Sequence, residues 1–118
     1  MALMTNFYDL LEKIREKPGM YLGSPSVSAL FHFLQGYKVA LMEAGISPNK
    51  ELQEFGEFQS WLAKRESINI SASWAKIIIF QSIDERDGFD NFFKFFDEFL
   101  EYMHSERNID ELDDDDFI

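Results

Sequence analysis

Apolar side chains recur along this chain at the spacing of a helix surface. Phe7, Leu10, Leu11 and Ile14 follow the i, i+3, i+4, i+7 pattern, with Thr5 or Asn6 placed to cap the first turn and Pro18-Gly19 to stop the last. From Lys17 to Pro25 two prolines and two glycines interrupt the pattern, which predicts a structured turn with Met20, Tyr21 and Leu22 tucked against the core. Ser26 is placed to cap a long second helix, whose stripe of Val27, Leu30, Phe31, Leu34, Tyr37, Leu41 and Met42 runs until Gly45. Gly36 falls inside that helix at a cost of up to about 1 kcal/mol relative to alanine, so close approach of a neighbouring helix or ring is expected there.

Ser47-Pro48 opens a third helical segment, in which Leu52, Phe55, Phe58, Trp61 and Leu62 keep the spacing. The polar, β-branched stretch 67–73 then reads as a connection or a short extended piece. Periodicity leaves Trp74 to Phe80 open, because an apolar block suits a buried strand as well as a buried helix. A helix capped by Ser73 is preferred, since no partner strand is visible and an isolated strand leaves its backbone unpaired. The last helix is the clearest. Phe89, Phe92, Phe93, Phe96, Phe99, Leu100 and Met103 are assigned inward, and Asp90, Lys94, Asp97, Glu98 and Glu101 outward. After His104 the pattern stops.

These segments predict an all-α fold, a single compact bundle of about five helices over residues 1–105. The remainder, 106–118, carries seven acids against Arg107 and is expected to be an acidic, flexible tail. The apolar fraction of 46% is enough for one core without disulfides or metals. Thirteen Phe, four Tyr and two Trp make aromatic packing its expected basis, with two or three rings left outside.

Charge and missing chemistry narrow the function. Twenty-two acidic against eleven basic side chains give a net charge of −11, which repels a phosphate backbone, so no direct nucleic-acid partner is expected. A basic protein fits better, although acidity also serves plain solubility. The absence of cysteine removes disulfides, thiolate zinc sites and cysteine nucleophiles. Met1 to Tyr8 lacks a signal-peptide pattern, and no apolar run approaches about 18 residues, so a cytoplasmic chain with no membrane partner is expected.

Several strings invite specific chemistry and do not complete it. Lys17-Pro-Gly-Met-Tyr-Leu-Gly-Ser24 resembles a string near the start of the DNA gyrase B ATPase domain. That resemblance covers about eight residues and implies nucleotide binding only beside a Glu- and Asn-bearing magnesium helix and a downstream Asp with spaced glycines, which this chain lacks. No cofactor is therefore expected. His32 and His104 stand apart in sequence, with no Ser or Asp at catalytic spacing, and no metal site is assigned. The acids of 113–116 lack the alternation, central glycine and final Glu of an EF-hand. They are read either as a solvated end or as a segment docking into a basic groove with Phe117 as anchor. Ser82 to Gly88 is expected to be an exposed loop, serving recognition or plain connection.

The Lys17 to Gly23 string, Phe58-Gln-Ser-Trp61-Leu62, Trp74-Ala-Lys-Ile-Ile78 and the run Phe92 to Phe99 together resemble a family of small bacterial proteins over roughly residues 10 to 100. In size, acidity and helix content the chain is also similar to immunity proteins of contact-dependent inhibition and related toxin systems. That resemblance implies a non-enzymatic protein, monomeric or weakly dimeric when free, that covers the active site of a basic nuclease toxin such as a ribonuclease. The residues assigned to the contact are Asp84, Glu85, Asp87, Asp110, Asp113, Asp114, Asp115, Asp116 and Phe117. The rival expectation is a helical adaptor that takes a peptide or subunit in an exposed Phe-lined groove. An enzyme would require a pocket joining His32 or His104 to carboxylates.

Overall fold

A computed structural model describes residues 6–68 and 72–116, with side chains described through residue 105. The described residues form α1 (Phe7–Glu16), α2 (Pro18–Leu22), α3 (Val27–Glu43), α4 (Lys50–Phe55), α5 (Phe58–Arg65), α6 (Trp74–Phe80) and α7 (Glu85–Asp116). The expected all-α bundle is what forms, with seven helices rather than about five. Two local events account for the difference. The Pro-Gly turn is itself helical, because Pro18 sits at the first position, where its missing N–H costs nothing, and Gly23 closes the turn at φ +84°. The third segment is divided into α4 and α5 at Gly56-Glu57.

Helices α3, α6 and α7 pack against one another at the centre, α5 lies against α6 and α7, and α1 braces α2 and α4. The core between them is aromatic. Phe58 is fully buried, with ring centroids of Phe55, Phe92 and Phe99 at 5.3, 5.5 and 5.4 Å, and of Trp74 at 5.8 Å. It stacks on Phe55 at 11° and meets the other three edge-on, the two geometries the ring quadrupole favours. One side chain of α5 thereby joins α4, α6 and α7. No polar or charged side chain is buried among the described residues.

The inward and outward sets assigned to the last helix agree with the structure, and Ser26 and Ser73 accept the N–H groups of Ala29 and Lys76 as helix caps. Other expectations are corrected. Met20 is 74% exposed and Met42 76% exposed, so neither belongs to the core; Tyr21 and Leu22 are half-buried. Asn6 occupies the cap position of α1 without making the bond; the Tyr8 N–H is instead accepted by Glu51 Oε1 of α4 at 2.8 Å. Helical backbone continues past His104 to Asp116, beyond the end of the apolar pattern.

Glycines show where space is tight. At Gly36 an added Cβ would meet nothing within 4 Å, so no neighbour approaches there, contrary to expectation. Gly88 of α7 is the close-approach glycine: an added Cβ would lie 2.6 Å from Val27 Cγ1 at the start of α3. Gly45, at φ +70°, ends α3 in a Schellman motif, with Ile46 N–H to Leu41 O and Gly45 N–H to Met42 O. Ser67 closes α5 in the same way at φ 54°, a conformation that favours glycine.

Two arginines flank α7. Arg15 of α1 makes paired bonds to Asp97 at 3.2 and 3.3 Å with its guanidinium over Phe93, and Arg65 of α5 pairs with Glu98 while lying over Trp61 and Phe95. Partial burial works against the Arg15 charge, but Asp97 and then Glu12 outweigh it, so its pKa is raised. Half-exposed pairs of this kind hold register more than they stabilise.

These contrasts set two expected outcomes for thermal or denaturant unfolding. Gly36→Ala raises stability by up to about 1 kcal/mol, from helix propensity alone, whereas Gly88→Ala lowers it by about 1–3 kcal/mol through overpacking against Val27. Equal effects at the two positions would contradict the packing described. Separately, Phe58→Ala removes the ring shared by four helices and costs about 3–5 kcal/mol, a large part of a domain's total stability.

Candidate partner-binding surface

The corner where α6 turns into α7 is apolar at its tip and acidic at its base. Phe80 ends α6 and is 92% exposed, although Trp74, Ala75, Ile77 and Ile78 of the same helix are buried. Ile83 follows three residues later and is 91% exposed. Helical spacing explains this: the block is longer than the buried face of a short helix, so its last residue rotates out to solvent.

A hydrogen-bond network holds the corner. Ser82 Oγ donates to Ile78 O at 2.7 Å and accepts from Asn91 Nδ2 at 3.0 Å, which ties the turn to both helices. Asp84 Oδ1 accepts the Asp87 N–H at 2.9 Å, and Asp87 Oδ2 accepts the Ile83 N–H at 2.9 Å, a reciprocal cap at the start of α7. Glu85 reaches across to α3, where its Oε1 accepts the Ser28 N–H and the Ser26 hydroxyl, both at 2.9 Å, and its Oε2 accepts the Ser28 hydroxyl at 2.8 Å.

The structure therefore brings together Asp84, Glu85 and Asp87 from the sequence-assigned set, and corrects their setting. Glu85 and Asp87 lie in the first turn of α7 rather than in a loop. Their donors are neutral amides and hydroxyls, and among the described residues no ion pair reaches any of the three. Their orientation is fixed while their charge stays uncompensated. The Ser28 N–H holds the Glu85 carboxyl below the ordinary carboxylate range against an opposing effect of burial, and the two serine hydroxyls add to it.

Asp110, Asp113, Asp114, Asp115 and Asp116 lie on the last turns of α7, and Phe117 lies outside the described residues. Sequence reasoning missed Phe80 and Ile83. The signal was present: residue 80 lies six positions after Trp74, off the face set by Trp74, Ile77 and Ile78.

Other hollows lie on the surface of the described residues. Glu51, Glu54 and Glu57 share a cleft with Tyr8, Lys50 and His104, and Tyr8 donates its hydroxyl to Glu54 Oε1 at 2.7 Å. This places His104 near carboxylates, whereas His32 is exposed beside Phe31. A second cleft of about 750 Å³ adjoins it at Glu57 and Met103, with Trp61 and Tyr102 in its lining. The third, about 270 Å³, lies at the end of α3 between Leu41, Met42, Ile46, Pro48 and Leu52. Its apolar lining is aliphatic, with Lys38 and Gln53 beside it, whereas Phe99 joins Trp61 and Tyr102 in the second cleft. Among the described residues no group of three or more acids or histidines is placed to hold a metal ion, and no helix is long and apolar enough to cross a membrane.

Comparison of the chain with protein-family models, curated proteins and solved structures finds no match.

The bonds to Glu85 set a pH dependence. Its carboxyl binds a proton less readily folded than unfolded, so its contribution is present above the ordinary value of about 4.3 and is lost as pH falls through the lower folded value. Glu85→Gln keeps one accepting oxygen and removes the charge, and is expected to lower stability at neutral pH by up to about 1 kcal/mol. The gap to wild type should close when unfolding is followed at pH values below the ordinary carboxylate range; a gap that is constant with pH would rule out the charged cap.

Proposed function

We propose that this protein is an immunity-type inhibitor, which binds a basic partner protein, a nuclease toxin, and covers its active site. The observation that carries the reading is the corner's three acids, held in fixed directions by neutral donors and left unpaired by any cation among the described residues. Fixed, uncompensated charge on a −11 chain speeds encounter with a basic surface and disfavours wrong partners.

A helical adaptor is the second reading, and it draws on the aliphatic groove at the end of α3, where Met42 and Ile46 are exposed. The two readings use different surfaces and different forces, so they separate by salt dependence.

The test is coexpression with the protein encoded by the adjacent gene, followed by purification, a nuclease assay and association kinetics. A stable complex with the partner's activity lost is expected. The double variant Asp84→Asn, Asp87→Asn keeps the capping oxygens and removes two charges. It should lower the on-rate about tenfold at low salt, with little change in the off-rate, and added salt should lower the wild-type on-rate likewise. An on-rate indifferent to both salt and substitution would exclude the electrostatic reading.

A further inference from the structure

From the α6–α7 corner we infer that Phe80 and Ile83 are the apolar anchor of the partner contact, and that they insert into an apolar concavity whose rim carries lysine or arginine side chains. This deepens the reading of the chain as a binder of a basic protein and rests on it.

Three observations converge on that occupant. Phe80 and Ile83 are the two most exposed large apolar side chains among the described residues, at 92% and 91%, and they stand three residues apart on one turn. Such a pair gives nothing to the fold, yet covering it releases a large apolar area from water. Hydrogen bonds within the chain fasten the turn that carries them. Ser82 and Asn91 tie it to α6 and α7, and Asp87 holds the Ile83 N–H. Little ordering remains to be done when the tip is covered, which is the condition under which apolar anchors contribute most to affinity.

Charge sets the partner's chemistry. The tip runs directly into Asp84, Glu85 and Asp87, with Arg86 as the cation of that stretch, so the base of the tip is net negative. Those carboxylates are held by neutral donors, and no ion pair reaches them among the described residues. A purely apolar pocket would bring this acidic base against low-dielectric surface without compensation; a cationic rim supplies it. An anionic surface, whether nucleic acid or an acidic membrane, is disfavoured by the same charges.

The experiment uses the full chain and, as probe, the separately purified protein encoded by the adjacent gene. Phe80→Ala, Ile83→Ala and the double variant are compared with wild type for Kd, off-rate and Tm. Each single variant is expected to weaken binding by roughly tenfold or more, mainly through faster dissociation. Because both side chains are outside the core, Tm should remain at the wild-type value, which separates lost contact from lost folding. Met20→Ala, an exposed apolar truncation on α2, serves as the control and should bind as wild type does. A complex that forms with wild-type affinity in the double variant overturns the anchor while leaving the charge-based reading standing. Wild-type protein that forms no complex overturns that reading and the anchor with it.

Discussion

The packing of aromatic rings around Phe58 is the constraint on which the molecule depends. Its ring stacks on Phe55 of α4 and receives the edges of Trp74, Phe92 and Phe99 from α6 and α7. Rings are stiff, with two side-chain torsions each, and their mutual angles are restricted by their quadrupoles. Fixing one centre therefore fixes the approach of four helices, two of them shorter than eight residues and too short to persist alone. The close passage of α7 over the start of α3 at Gly88 follows from this arrangement, since a larger residue there would force the helices apart.

Around that core, acidic residues divide by what they hold. Glu51 accepts the first-turn N–H of Tyr8 on α1, and Glu85 does the same for Ser28 on α3. Each supplies a helix cap from a distant helix, where a charge-assisted bond is stronger than a neutral one. Asp97 and Glu98, adjacent on α7, engage Arg15 and Arg65 from opposite sides. Negative charge thus serves as internal fastening in several places. At the α6–α7 corner, capped carboxylates that make no ion pair among the described residues stand beside two apolar side chains that the core does not use.

The candidate site was only half legible from the residues. Asp84, Glu85 and Asp87 stood out as a charged stretch between two apolar segments, and they do gather at one corner. Phe80 was counted with the apolar block that precedes it, although it stands six positions after Trp74 and off the face that Trp74, Ile77 and Ile78 bury. Ile83 was lost among polar neighbours. Met20 erred in the opposite sense: apolar character alone suggested burial, and the helical turn of α2 leaves the side chain in solvent.

Local chemistry along the chain determined the all-α class, the caps at Ser26 and Ser73, the stops at Gly23 and Gly45, and the buried stripe of α7. Each of these is a matter of near neighbours, which sequence spacing records directly. The cross-helix caps from Glu51 and Glu85, the tight passage at Gly88 and the openness at Gly36 arise only when segments far apart in sequence meet. No local pattern encodes those distances. Which face of each helix is covered depends likewise on its neighbours: Phe58 stands on a face that three other helices cover, and Phe80 stands off the covered face of α6.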